Sequence, residues 1–184
     1  MIELMREPMR ELILGGQKSG KTRAAQARAA AWLRHAGREA TLIATALAHD
    51  AEMAERIARH RAERDPSWDV IEQPISIRSA IRNAARPDRI VLVDCLTLWI
   101  SNLKAERREI EIEVQGLVGT LQNAAGPVIV VSNEVGLGIV PDNPLARAFR
   151  DNLGRANQVI AAAAECAVFM AAGIPIVLKG TLPS

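Results

Sequence analysis

Cysteine is almost missing from this chain: Cys95 and Cys166 are the only two among 184 residues. Each stands in an apolar stretch, without the spacing of a metal knuckle and without enough partners for a disulfide framework. Reduced, buried thiols are therefore expected, which fits a cytoplasmic protein. An excess of one charge is missing too. Lys and Arg number 23 against 21 Asp and Glu, a formal net charge of +2, so the overall field gives no reason to expect nucleic acid or a membrane as partner. Any anion site has to be built locally. Met1 to Glu11 mixes Glu and Arg with apolar side chains and lacks the apolar core of a secretory signal. Long apolar runs are also lacking, with one exception at Val159 to Leu178, and Glu165, Gly173 and Pro175 interrupt that one. A helix ending near Glu165, then two short buried strands at Ala167 to Ala171 and Ile176 to Leu178, accounts for it better than a bilayer span.

What is present is enough apolar material, 49% of residues, for one ordinary α/β core, so residues 1–184 are expected to form a single domain. Short apolar runs at Glu11 to Leu14, Ala40 to Ala46, Arg89 to Val93 and Val128 to Val131 alternate with longer amphipathic segments. Helices are predicted over Lys21 to His35, Asp50 to Arg64, Ile77 to Ala85, part of Leu103 to Asn123, and Pro144 to Glu165. Asp65 to Pro74 is the most irregular stretch and reads as a loop over the site. Alternation of this kind is the pattern of a mostly parallel sheet with helices on both faces, closed by a short C-terminal strand pair. Right-handed crossovers gather the carboxyl ends of the parallel strands along one edge, where ligands of open α/β sheets bind.

Gly15-Gly16-Gln17-Lys18-Ser19-Gly20-Lys21-Thr22 satisfies the Walker A pattern, follows the apolar run Leu12 to Leu14 and opens a predicted helix. The glycines let successive backbone N–H groups point at phosphate oxygens, and the helix amino terminus adds its partial positive charge. Lys21 reaches the β and γ oxygens; Thr22 supplies a hydroxyl to magnesium. Asp94, the first polar residue after Ile90 to Val93, supplies the carboxylate that such sites use on the same ion. The fold expected is thus a P-loop NTPase-like domain. These elements establish a nucleoside triphosphate site and leave ATPase, small-molecule kinase and GTPase open.

Met53, Ile57, His60 and Arg64 recur at helical spacing, beside Arg56, Arg59 and Arg61. Neighbouring cations favour the neutral, nucleophilic form of an imidazole and bind phosphate oxygens. Taken alone, a hydrogen-bonded histidine on a basic, solvated face accounts for His60 better than a nucleophile does. His35 and His49 read as structural.

In order along the chain stand the P-loop just described, Ile43-Ala44-Thr45-Ala46, Asp50 to Met53, Arg56-Ile57 and His60-Arg61, then Trp68 with Glu72 and Pro74. Val93 to Trp99 with Ser101-Asn102-Leu103, Ser132 to Gly136 with Gly138 to Pro141, and Arg147 with Phe149-Arg150-Asp151, Gly154 and Asn157-Gln158 follow. Together these resemble the bifunctional adenosylcobinamide kinase and adenosylcobinamide-phosphate guanylyltransferase family over nearly the whole chain. The run Ser132 to Pro141 is the most specific part, the P-loop the least. The resemblance implies that ATP or GTP phosphorylates adenosylcobinamide, and that GTP then places GMP on His60 before transfer to the cobinamide phosphate. It implies catalytic roles for His60 and Lys21, and nucleotide contacts from Gly15 to Thr22, Ala44, Thr45, Ala46, Arg61, Ala62, Glu63, Arg64, Glu72 and Asp94. Magnesium is expected on Thr22 and Asp94, and a homo-oligomer, a trimer, as the assembly. Ser132-Asn133-Glu134 reaches the same edge, either to position the corrinoid hydroxyl or to line the nucleotide pocket. Leu145, Phe149, Leu153 and Ile160 are expected to form the apolar side of the last helix, beside a polar stripe of Arg147, Arg150, Asp151, Gly154, Asn157 and Gln158. The segment before Glu11 is longer, and Lys104-Ala105-Glu106 more polar, than the family pattern. A kinase of another small metabolite would keep the cradle without needing His60, and a GTP-binding regulatory module would need only the cradle and a moving loop.

Overall fold

The computed structural model describes residues 10–48, 51–62 and 67–182; within 51–62 the side chains of residues 52, 56, 59, 60 and 62 fall outside the description. The strands are β1 (Arg10–Gly15), β2 (Glu39–Ala44), β3 (Asp69–Glu72), β4 (Arg89–Asp94), β5 (Val128–Val131), β6 (Cys166–Ala171) and β7 (Ile174–Lys179). They form one sheet in the order β3-β2-β4-β5-β1-β6-β7, parallel except for β7, which runs antiparallel to β6. The helices are α1 (Lys21–Leu33), α2 (Ala51–Ala62), α3 (Ile77–Ala84), α4 (Leu96–Ala105), α5 (Ile110–Gln122) and α6 (Pro144–Ala163).

Leu12 to Leu14 of β1, Ile90 to Val93 of β4 and the whole of β5 are continuous apolar runs because both faces of the sheet are covered. Their alternate residues separate two cores. Leu12, Ile43, Val91, Val93, Val128 and Val130 meet Ile77 and Ile81 of α3, Trp99 and Leu103 of α4, Leu117 of α5, and Leu153 and Ile160 of α6. On the opposite face Ile13, Leu42, Leu92, Ile129, Val131 and Val168 meet Ala25, Ala29 and Trp32 of α1. The small alanines let α1 lie close to the sheet.

Four expectations are corrected. The helix expected within Leu103 to Asn123 is α5, but the apolar stretch after Asp94, outside every predicted helix, forms one as well, α4; Leu96, Trp99, Ile100 and Leu103 have the helical period, but only Cys95 separates it from β4. Residues 69–72, expected as loop, form the edge strand β3, whose exposed side chains give no apolar signature. β7 is exposed throughout instead of buried, since it is the opposite edge and no element among the described residues covers it. On α6, Leu145 is 69% exposed whereas Asn157 is buried, so the apolar side starts a turn later and the polar stripe is broken. No helix among the described residues is long and apolar enough to cross a membrane.

Candidate active site

A cavity of about 820 Å³ opens at the carboxyl ends of β2, β4, β5 and β1, on the α1 face of the sheet. The strands contribute to it with period two: Leu42, Ala44 and Ala46 from β2 and its continuation, Leu92 and Asp94 from β4, Val131 and Asn133 from β5 and its continuation. The segment 17–23, with Gln26 one turn on, forms one wall, and Met53, Glu55 and Ile57 of α2 form another. The turn Ala172–Gly173 between β6 and β7 closes a corner.

The P-loop is held in shape by its backbone. A Cβ at Gly15, with φ 153°, would stand 2.5 Å from the Met170 carbonyl oxygen, so only glycine fits against β6 there. Gly20 enters α1 at φ 98°, a left-handed conformation, and lies against Gly173. The Gly173 N–H donates to the Ser19 carbonyl (2.9 Å), and the Glu134 N–H donates to that of Gly15 (3.0 Å). Lys21, nearly buried, donates from Nζ to the Gly16 carbonyl at 2.6 Å, within the concavity that a polyphosphate would fill. Thr22 Oγ1 donates to Asp94 Oδ2 at 3.4 Å. A hydroxyl and a carboxylate oxygen thus converge beside the cradle, a hard-oxygen pair suited to magnesium, which takes few protein ligands and fills the rest of its shell from phosphates and water. Among the described residues no cluster of three His, Cys, Asp or Glu groups exists that would favour another metal.

Thr45 is buried completely and does not line the cavity, unlike Ala44 and Ala46 on either side. Its N–H donates to the Asp94 carbonyl (3.1 Å), its hydroxyl accepts from the Cys95 N–H and donates to the Cys95 carbonyl (both 2.8 Å), and its carbonyl accepts from Asn102 Nδ2 (2.8 Å). Asn102 also donates to the Pro74 carbonyl (3.1 Å), so α4 ties the loop after β2 to the loop after β3. Cys95 lies at the cavity floor with its thiol pushed up to about 11, first by burial and then by the Asp94 carboxylate. It is no nucleophile near neutral pH.

Arg61 and Glu72 form an exposed ion pair with each other and stand outside the cavity lining. His60 and Ala62 belong to α2 by backbone only, while His49, Glu63 and Arg64 lie outside the described residues. The structure therefore brings together Gln17 to Thr22, Ala44, Ala46 and Asp94. It adds Arg23, Gln26, Leu98 and the 172–173 turn, which sequence reading did not single out. Arg23 and Gln26 carry a weak signal, since they continue the helix face that Thr22 opens. The turn carries none, because it lies some 150 residues from the loop it braces.

Residues 11–178 match the family described as cobinamide kinase / cobinamide phosphate guanyltransferase. The chain belongs to that family. It is 43% identical over 174 residues to the bifunctional adenosylcobalamin biosynthesis protein CobP of Pseudomonas aeruginosa, covering 94% of this chain and 98% of that one. It is 36% identical to the bifunctional adenosylcobalamin biosynthesis proteins CobU of Escherichia coli and of Salmonella typhimurium, in each case over 91% of this chain and 98% of the relative. Among solved structures, the flagellar accessory protein FlaH of Methanocaldococcus jannaschii superposes with a TM-score of 0.57 at 14% identity, over 96% of this chain and 84% of that one. That likeness carries the fold alone. Family membership makes the chain a bifunctional enzyme, kinase and guanylyltransferase, and disfavours both the kinase of an unrelated metabolite and the regulatory module.

Proposed function

We propose that one cradle serves both reactions on adenosylcobinamide, with the triphosphate gripped by residues 15–22 and His60 of α2 as the group that carries GMP. The observation that supports this most directly is the orientation of α2. Met53 and Ile57 face the cavity, and position 60 follows on the same side of the helix by its 3.6-residue period. Residue 60 thus lies one turn beyond a wall of the pocket whose far side is the P-loop. In the kinase step ATP or GTP gives its γ-phosphoryl group to the substrate hydroxyl, which requires little beyond alignment and charge neutralisation by Lys21 and the loop amides. Magnesium, held by Thr22 and Asp94, would neutralise the β and γ oxygens. In the second step the His60 imidazole attacks the α-phosphorus of GTP, pyrophosphate leaves, and the phosphate of the cobinamide phosphate then displaces the imidazole.

By the same resemblance Arg61, Ala62, Glu63 and Arg64 contact the nucleotide beside His60, and Glu72 meets the guanine edge or the ribose. We place the enzyme in the cytoplasm as one domain spanning residues 1–184. A homo-oligomer, a trimer, fits its exposed apolar segments, Leu137 to Val140 and the uncovered strand β7.

The decisive measurement is incubation with magnesium and GTP labelled at the α-phosphate, followed by denaturation. Acid-labile label is expected on the protein, and His60→Ala abolishes it while nucleotide binding survives. Label retained by that variant would remove His60 from the mechanism.

A further inference from the structure

We propose that Asn133 is a further catalytic residue of the kinase step, its carboxamide donating a hydrogen bond to the γ-phosphoryl group during transfer; this rests on the shared-cradle reading above. In the sheet, β5 is interposed between β4, which ends in Asp94, and β1, which ends in the P-loop. Val131 is in register with both Asp94 and Ile13. Asn133 follows on the same side two residues later, roughly 6 to 7 Å beyond that level, and lines the cavity with Lys21, Thr22 and Asp94. It therefore stands over the gap between the candidate magnesium residues and the cradle, which is the γ end of a triphosphate whose β and γ oxygens meet Lys21.

The surroundings fix this residue from every side while leaving its side chain available. Its N–H donates to Thr97 Oγ1 of α4 (2.9 Å), and its carbonyl accepts from Asn157 Nδ2 of α6 (3.0 Å). Asn157 is itself locked, accepting from the buried Ser132 hydroxyl at 2.7 Å. The flanking amides of Ser132 and Glu134 donate to the carbonyls of Ile13 and Gly15, both at 3.0 Å. Two helices and the P-loop strand thus hold three consecutive peptide units, yet among the described residues no hydrogen bond engages the Asn133 carboxamide. Preorganisation of this kind is what a donor aimed at developing charge requires. In the step itself the substrate hydroxyl oxygen bonds to the γ-phosphorus as the bond to the β–γ bridging oxygen breaks. The nucleoside diphosphate leaves with that electron pair, and the hydroxyl proton passes to solvent. The carboxamide takes no proton; it binds an equatorial oxygen, keeping the γ-phosphorus between the attacking and leaving oxygens. The guanylyl step breaks a bond at the α-phosphorus, toward α2, and draws less on this donor.

The test measures the two half-reactions separately in the whole enzyme, with adenosylcobinamide and γ-labelled nucleotide for one and α-labelled GTP for the other. Asn133→Ala is expected to lower kcat for phosphorylation roughly tenfold to a hundredfold, with KM for the nucleotide little changed, and to lower guanylylation at least tenfold less. Asn133→Asp, of the same shape but with a carboxylate facing the phosphates, is expected to lose more of the kinase rate than the alanine variant. Equal losses in both half-reactions, a rise confined to KM, or an undiminished kinase rate overturns the assignment. Failure of the underlying reading shows differently: Lys21→Ala would then leave one of the two half-reactions at its normal rate.

Discussion

The two faces of one sheet are built from alternate residues of the same strands, yet they do different work. Val91 and Val93 of β4 disappear under α3, α4, α5 and α6, whereas Leu92 and Asp94, one residue out of phase, form the floor and rim of a cavity. Four helices seal the first face. On the second, α1 covers part of the sheet closely through alanines, and the remaining area is roofed by α2 with space left between. Substrate binding requires incomplete packing, and here the incompleteness is confined to one side, so that the other can supply the stability.

Substitutions can break this division. The largest expected effect is on the closed face: Trp99→Ala removes a fully buried ring and the hydrogen bond from its Nε1 to the Ile75 carbonyl. It should cost about 3 to 5 kcal/mol in chemical denaturation. On the open face Lys21→Ala should lower both half-reactions about a hundredfold to a thousandfold while leaving the unfolding midpoint in place; a normal rate in either reaction would refute a shared cradle. Thr45→Val, at the seam, keeps the shape but leaves the Cys95 N–H and carbonyl without their buried partner. A loss of about 1 to 3 kcal/mol is expected. The smallest effect sharpens the contrast chemically. With its thiol near 11, Cys95 in the folded enzyme should alkylate about tenfold faster per pH unit up to that value. The unfolded chain should level off in the ordinary thiol range. Rapid modification of the folded enzyme at neutral pH would mean that the floor is open to solvent.

Much of this was legible in the residues. β1, β4 and β5 were, because a strand buried on both sides shows a run of consecutive apolar residues, and the P-loop was, because its chemistry needs fixed residue types at fixed spacing. α4 was obscured by its neighbour: one cysteine separates two apolar elements, and composition does not mark a change of period that abrupt. β3 and β7 lie at the sheet edges, where exposure removes the apolar signal that reveals inner strands. Within the site, Asp94 and Lys21 could be read locally. The brace of Asn157 and Thr97 on Asn133 could not, since those three residues meet only through the order of the strands.

The final hairpin reaches back to the beginning of the chain. β1 lies between β5 and β6, the Arg10 carbonyl accepts from the Glu165 N–H, and the Ser19 carbonyl accepts from the Gly173 N–H. The phosphate grip is encoded in residues 15–22 but braced by β6 and the turn that follows it, some 150 positions on. A chain cut ahead of residue 173 would therefore keep the motif but lose the amide that steadies Ser19 from across the sheet.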